Sequence, residues 1–346
     1  MKKNKPGRKL LFLFLSAALA AGVCFACKSS GKPEEPLTKS AFLLDTFCTV
    51  TLYEGGSEEI LSGAMELVGS YDTLFSAERE DSDIYRINHR KDLFDCTSEA
   101  VPIGTDTAEM LLLAKEIEEL SEGALWTAIR PLTELWDFKT AKKVPESVLL
   151  SEALRESRES GWHIEGEKEN GFFFFSDHPG TKIEAGAYAK GYIADRIRDY
   201  LLENGVKSAI IDLGGNIQTV GGKPGGEPFR VGIKDPKGEE GYLKVLEAKD
   251  ISVVTAGNYE RYFEENGVIY HHILDPGTGF PVQNELASVT VTGPLSAVCD
   301  ALATACFVKG TEEGIRLLHE YNEIHHAGYK GYFLSADGVF TGSEKE

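Results

Sequence analysis

The chain has 346 residues, 42% of them hydrophobic, and a formal net charge of −19 from 36 basic and 55 acidic side chains. That balance repels nucleic acid and supplies no basic footprint, so it argues against DNA or RNA binding. It also repels an anionic dinucleotide unless a cation intervenes, so a ligand of that kind implies a metal.

Lys2, Lys3, Lys5, Arg8 and Lys9 precede an apolar run from Leu10 to Ala21 that is short for a membrane span, so residues 1–27 read as a targeting segment. Ala26-Cys27, followed by Lys28-Ser29-Ser30-Gly31, has the form of a lipoprotein cleavage site with Cys27 as the lipidated first residue. Ordinary signal-peptide cleavage is the alternative. Several acyl chains on one cysteine anchor stably where a single chain is marginal, so the expectation is an exported lipoprotein on the periplasmic face of the inner membrane. Residues 28–40, rich in Lys, Ser, Glu and Pro, read as a flexible tether. The remaining residues, 41–346, are enough for one large core or two smaller ones.

Within that part the pattern predicts an α+β fold. Phe42 to Tyr53 alternates as a strand, while Glu58 to Leu74 and Asp106 to Ser121 have helical spacing, with Gly123 ending the second helix. Ala77 to Lys91 between them reads as a loop of mixed charge. Residues 141–182, with Phe172 to Phe175 in succession, predict a helix and a buried strand. Glu184-Ala185-Gly186-Ala187-Tyr188-Ala189-Lys190-Gly191 leads into a long helix ending near Asn204-Gly205. Small residues at such a helix start let backbone approach a ligand, the free N–H groups suit a phosphate, and Lys190 adds a point charge. A glycine-containing turn of no function is the alternative.

Ser208 to Leu213 reads as a buried strand closing on Gly214-Gly215-Asn216, where two glycines permit contact with a flat ligand and Asn216 can donate and accept at a ring edge. Further strands are predicted over Phe229 to Lys234, Ile251 to Thr255 and Leu286 to Thr292. Tyr259 to Ile273, broken by Asn266-Gly267, reads as a β-hairpin. His271 and His272 fall at its end, and Pro276, Gly277, Gly279 and Pro281 then stop any ladder, which holds Asp275 and Thr278 on a turn beside an imidazole. The bland alternative is a turn whose Asp and Thr only satisfy its own amides.

Ser296 to Val308 is apolar almost all round and therefore predicts a buried helix. Asp300 and Thr304 interrupt it four residues apart, on one face. An unpaired buried carboxylate costs several kcal/mol, so Asp300 needs a cation, a hydrogen-bond network or a proton. Two oxygen ligands on a rigid helix, completed by water and phosphate oxygens, suit Mg²⁺. The alternative is an Asp bonded to neighbouring backbone with Thr304 bonding back into its own helix. Cys299 and Cys306 are about 10 Å apart along that helix and cannot bridge. Cys48 and Cys96 read as packing residues or as a bridge.

Thr255-Ala256-Gly257-Asn258-Tyr259-Glu260-Arg261, His271 to Pro281, Ala287 to Val291 and Asp300 to Thr304 together resemble signature blocks of the ApbE family, the FAD:protein FMN transferases. Phe75-Ser76, Ser82 to Asn88, Pro131-Leu132 with Leu135 to Phe138, Ala189 to Tyr192 and Asp212 to Asn216 agree in the same order, which makes the resemblance specific where one block would not be. It departs from the pattern at Gly123 to Ala128, where the family shows aromatic-Asp-Pro-Thr, and at Glu184, where the family has Asp. Trp126 in the first of these segments reads as a stacking group or as core.

The resemblance implies an ApbE-like, T-fold-related fold of mixed sheets flanked by helices. It implies FAD as substrate, Mg²⁺ held by Asp300, Thr304 and the Ala187 carbonyl, and flavin or nucleotide contacts around Asn88, Ala187, Lys190, Gly214, Gly215, Asn216, Thr255, Gly257 and His272. For Asn88 the alternative is a solvated loop amide. His272 would be the general base on the attacking hydroxyl, with Asp275 orienting it or reaching a second cation. If a Thr or Ser of an exported flavoprotein attacks, FMN is transferred and AMP released; if water attacks, FMN and AMP are both freed. Acceptors would be flavoprotein subunits of membrane redox complexes. A flavin-carrying lipoprotein without chemistry is the reading from another class, and it has no use for Asp300, Thr304 and His272 together.

Overall fold

The computed structural model describes residues 35–93, 100–176, 178–236 and 241–344. The targeting segment, Cys27 and Cys96 lie outside them. Residues from Pro36 onward form one compact unit.

β1 (Leu37–Leu43) and β2 (Thr46–Glu54) pair as a hairpin whose turn residues, Leu44 and Asp45, are both left-handed at φ 54° and 58°. The single strand expected over Phe42 to Tyr53 is therefore a turn and a strand, missed because no Gly or Asn marks the turn. β1 also begins inside the stretch read as tether. α1 (Glu58–Leu74) starts at Ser57, whose hydroxyl accepts from the Ile60 amide. α2 (Asp83–Asn88) and α3 (Arg90–Leu93) occupy the supposed loop, with Ser82 capping the Tyr85 amide at 2.8 Å. β3 (Val101–Ile103), α4 (Thr105–Leu120), α5 (Arg130–Trp136), α6 (Ser147–Glu159), β4 (His163–Glu167) and β5 (Gly171–Phe175) follow. β5 is the centre of a small sheet in the order β3-β5-β4; Phe174 is fully buried while Phe173 is 39% exposed, so the phenylalanine run is covered on one face only.

The second half is α7 (Ala189–Glu203), β6 (Ser208–Leu213), β7 (Ile217–Val220), β8 (Phe229–Lys234), β9 (Tyr242–Ala248), β10 (Ser252–Gly257), β11 (Tyr262–Glu265), β12 (Val268–His271), β13 (Leu286–Gly293), α8 (Ser296–Lys309), α9 (Thr311–His325), β14 (Lys330–Ser335) and β15 (Phe340–Gly342). The main sheet runs β1-β2-β6-β7-β10-β13-β14-β15. The described strand pairs are antiparallel throughout. The expected α+β architecture is present.

One face of the sheet carries Val50, Leu52, Ile211, Val289 and Phe333 into a core shared with Val68, Ile197, Leu302 and Leu318 of the helices. Side chains of opposite parity, including Tyr53, Ile210 and Ile217, pack under the β8–β9 hairpin. A satellite core of Leu132, Trp136, Leu150, Phe263 and Leu274 joins α5 and α6 to the β11–β12 hairpin. β13 is buried at every position, which is why its apolar and Thr residues run without a polar face. Cys48, Cys299 and Cys306 are buried free thiols.

Candidate active site

The site is assembled at the starts of α7 and α8, which lie side by side. α8 is apolar around its circumference because neighbouring elements cover it, and every residue from Ser296 to Ala303 is buried. Asp300, 7% exposed, accepts the Gly191 amide of α7 at 2.9 Å through Oδ2. Burial pushes its carboxyl up to about 6, against Lys190, the Gly191 amide and Asn216, which all favour the charged form. Among the described residues no ion pair relieves Asp300, and no three His, Cys, Asp or Glu side chains converge as a metal cluster. Thr304 stands one turn further along α8 and is part-buried, and the turn before α7 leads into Gly191, whose amide Asp300 accepts. A buried carboxylate held against its preference to protonate suits a hard divalent cation.

That turn is tied down by Glu184. Its Oε1 accepts the Gly186 amide at 3.1 Å, and its Oε2 takes Thr133 Oγ1 at 2.9 Å and Arg130 Nη1 at 3.0 Å. Burial opposes the charge on Arg130, but Glu184, Glu134 and Glu78 hold it protonated. The Glu standing where the family has Asp thus has partners of its own. Lys190, in the first turn of α7, is part-buried and acts electrostatically on both Asp300 and His272.

His271 and His272 divide their roles. His271 is 4% exposed and its Nε2 bonds the Val282 carbonyl at 3.0 Å, so it fastens the loop to the strand that precedes it. His272 continues the hairpin through its amide to the Arg261 carbonyl at 3.0 Å, and its Nδ1 is shut off from solvent without a partner although the ring keeps some accessible surface. Burial, with Arg261 and Lys190 nearby, lowers its pKa to about 3, so the imidazole is neutral.

Among the described residues no hydrogen bond joins Asp275 to His272. Its Oδ1 accepts the Gly277 amide at 2.7 Å and its Oδ2 the Thr278 hydroxyl at 2.9 Å. Each oxygen thus accepts one bond from the turn, as in the bland alternative, and keeps a further lone pair. Trp136 Nε1 donates to Gly279 O at 2.8 Å and Arg158 to Gly277 O, so the satellite core carries this loop.

Asn88 is not a solvated loop amide: it is 7% exposed at the end of α2, and its amide donates to Ile183 O at 2.9 Å and accepts Ile183 N at 2.6 Å, using one of its two N–H groups and one lone pair. A segment without a strand partner needs a side chain to satisfy its backbone, and Asn88 supplies one. Gly214, at φ 69°, is required because a Cβ there would lie 2.3 Å from Thr46 Oγ1, whereas the Cβ direction at Gly215 is open. The space beside Gly257 is filled by the Tyr259 ring, and Thr255 Oγ1 pairs with Thr290 Oγ1 at 2.8 Å across β10 and β13. Asn216, 2% exposed, accepts Ser296 Oγ at 2.7 Å through Oδ1, which orients its amide nitrogen. Trp126 donates to Ser157 O at 3.0 Å and packs against the main core.

Sequence reasoning missed Asp195 and Ser296. Asp195, 3% exposed, accepts the Ser296 and Ala297 amides at 3.0 and 2.9 Å. The signal was present: α8 begins after Leu295, which has no side-chain cap, so its orphan amides need an acceptor from another element.

The fold is shared by solved proteins. The ApbE protein of Thermotoga maritima superposes with a TM-score of 0.76 at 28% identity, covering 90% of this chain and 97% of its own. The flavin transferase ApbE of Vibrio cholerae gives 0.74 at 26% identity, covering 89% and 96%. A family model described as the ApbE family matches residues 44–327, and the chain belongs to that family. FAD:protein FMN transferases of Klebsiella pneumoniae and Treponema pallidum are each 33% identical to it, covering 82% of this chain and 86% and 82% of their own.

Proposed function

We propose that the chain is an Mg²⁺-dependent FAD:protein FMN transferase, joining FMN from FAD to a Thr or Ser hydroxyl of an exported flavoprotein and releasing AMP. Support comes from family membership, from the activity named for relatives at 33% identity, and above all from one observation: the buried Asp300 carboxylate, bonded to the Gly191 amide at 2.9 Å, and the His272 imidazole both lie in the field of Lys190.

Asp300, Thr304 and the Ala187 carbonyl would hold the metal. Bound there, Mg²⁺ would neutralise diphosphate charge and make AMP a better leaving group. The start of α7 offers amides and Lys190 to the diphosphate. His272 takes the proton of the attacking hydroxyl as the new P–O bond forms and the diphosphate P–O bond breaks. An imidazole near 3 is a weak base at neutral pH; a diphosphate beside Lys190 and Arg261 would offset the part of that lowering due to the two cations, while the larger part due to burial stays.

Incubation with FAD and Mg²⁺, with and without an acceptor domain, tests the reading. AMP formed only with acceptor supports it; AMP without acceptor makes the protein an FAD pyrophosphatase, and unchanged FAD makes it a carrier.

The location forms part of the proposal: export through residues 1–27, lipidation at Cys27 and attachment to the periplasmic face of the inner membrane, beside acceptor subunits of membrane redox complexes. Among the described residues no helix is long and apolar enough to cross a membrane. Cys27→Ser should move the protein from the membrane fraction to the soluble one, and an unchanged distribution would remove the anchor.

A further inference from the structure

The starts of α7 and α8 exchange carboxylates. Asp300 of α8 takes the free Gly191 amide of α7, while Asp195 of α7 takes the free Ser296 and Ala297 amides of α8. Each helix thereby caps the other, which replaces the side-chain cap that neither Tyr188 nor Leu295 provides. The contact is too close for any side chain at position 191, where a Cβ would lie 2.3 Å from Ser296 O. Arg198 adds a bond from Nη1 to Pro294 O at 3.0 Å, ahead of α8.

The same segment governs Asn216. Ser296, whose amide Asp195 holds, donates its hydroxyl to Asn216 Oδ1. That bond decides which way the Asn216 amide faces, and leaves Nδ2 buried without a hydrogen-bond partner. Asn216 lies near enough to favour the Asp300 carboxylate without making an aligned bond to it.

We infer that Asp195 is a positioning residue for the cation site: by holding the Ser296 and Ala297 amides it sets the height of α8, aims the Asn216 amide through Ser296, and so delivers the Asp300 carboxylate to the metal. The partners of Asp195 are the two α8 amides and Arg198 Nη1 at 3.4 Å, and the inference rests on the metal reading above. Asn at 195 presents an NH₂ where one of two backbone donors must be accepted, so the start of α8 has to move.

The test uses the full chain and Mg²⁺ itself, with two readouts: the Mg²⁺ concentration that half-saturates the rise in unfolding temperature without FAD, and the one that half-saturates AMP release. For Asp195→Asn both should rise roughly 10- to 100-fold, with AMP release at saturating Mg²⁺ within a few-fold of wild type. Ser296→Ala, which keeps the backbone cap and removes only the link to Asn216, should shift both the same way by less, and it decides the matter if Asp195→Asn does not fold. An unchanged Mg²⁺ requirement in a folded Asp195→Asn protein overturns the inference and leaves Asp195 as a helix cap. Loss of turnover at saturating Mg²⁺ with an unchanged requirement overturns it too. A wild type whose unfolding and AMP release ignore Mg²⁺ overturns the metal reading itself.

Discussion

His272 and Asp300 show how one environment shifts two groups in opposite directions. Burial disfavours charge on both, yet it leaves the histidine neutral and ready to accept a proton, and it leaves the carboxylate poised for a cation. His272→Ala should retain FAD binding, followed by flavin fluorescence, and lose about 10²- to 10⁴-fold in AMP release with acceptor. Full turnover would remove the base assignment. Asp300 carries a stability cost. Its folded pKa, about 6, lies above the ordinary 3.8, so the folded state favours the proton and stability falls as pH rises from about 4 to about 6, by up to about 3 kcal/mol without metal. His272 acts in the other window: with a folded pKa of about 3 against 6.5, its contribution is complete above pH 6.5 and is lost as pH falls toward 3. Asp300→Asn should therefore unfold at a higher temperature than metal-free wild type at pH 8, lose that advantage at pH 4, and no longer respond to Mg²⁺. A lower unfolding temperature at pH 8 would show that the ionised carboxylate is not a burden.

Between elements, the decisive contact is α7 against α8. Gly191 is there for proximity, since its Cβ position is 2.3 Å from Ser296 O and 2.7 Å from Ala297 Cα, both backbone atoms that cannot step aside singly. Gly191→Ala should cost about 1–3 kcal/mol in denaturant unfolding and raise the Mg²⁺ requirement, because separating the helices breaks the Gly191–Asp300 bond. Stability and Mg²⁺ response both unchanged would mean the helices slide without consequence. The β11–β12 hairpin is positioned differently. It reaches the site through the satellite core of Trp136, Phe263 and Leu274, and Trp136 holds the Gly279 carbonyl of the loop that follows His272.

Across the whole molecule a charge of −19 opposes the approach of an anionic dinucleotide, while Lys190 and Arg261 supply local positive charge next to His272. Long-range repulsion is screened by salt more than short contacts are. Raising NaCl from about 0.05 to about 0.5 M without divalent cations should thus tighten FAD binding a few-fold, and the effect should vanish with Mg²⁺ present. Weaker binding at high salt without Mg²⁺ would show that the local cations outweigh the net charge.

Much of the site was legible because its chemistry is local in the chain. Asp300 and Thr304 are four apart on a helix whose apolar circumference announced burial, and the hairpin turn at Asn266-Gly267 placed the two histidines at a strand end. Period and turn chemistry act over a few residues, so they leave their mark in the sequence. Which partner a polar group chooses does not. The fold set Gly277 and Thr278 against Asp275 and Ile183 against Asn88, and Asp195 became the cap of α8 only when two helices about a hundred residues apart were brought together. Buried hydrogen bonds are satisfied by whatever packing brings within reach, and that is decided in three dimensions.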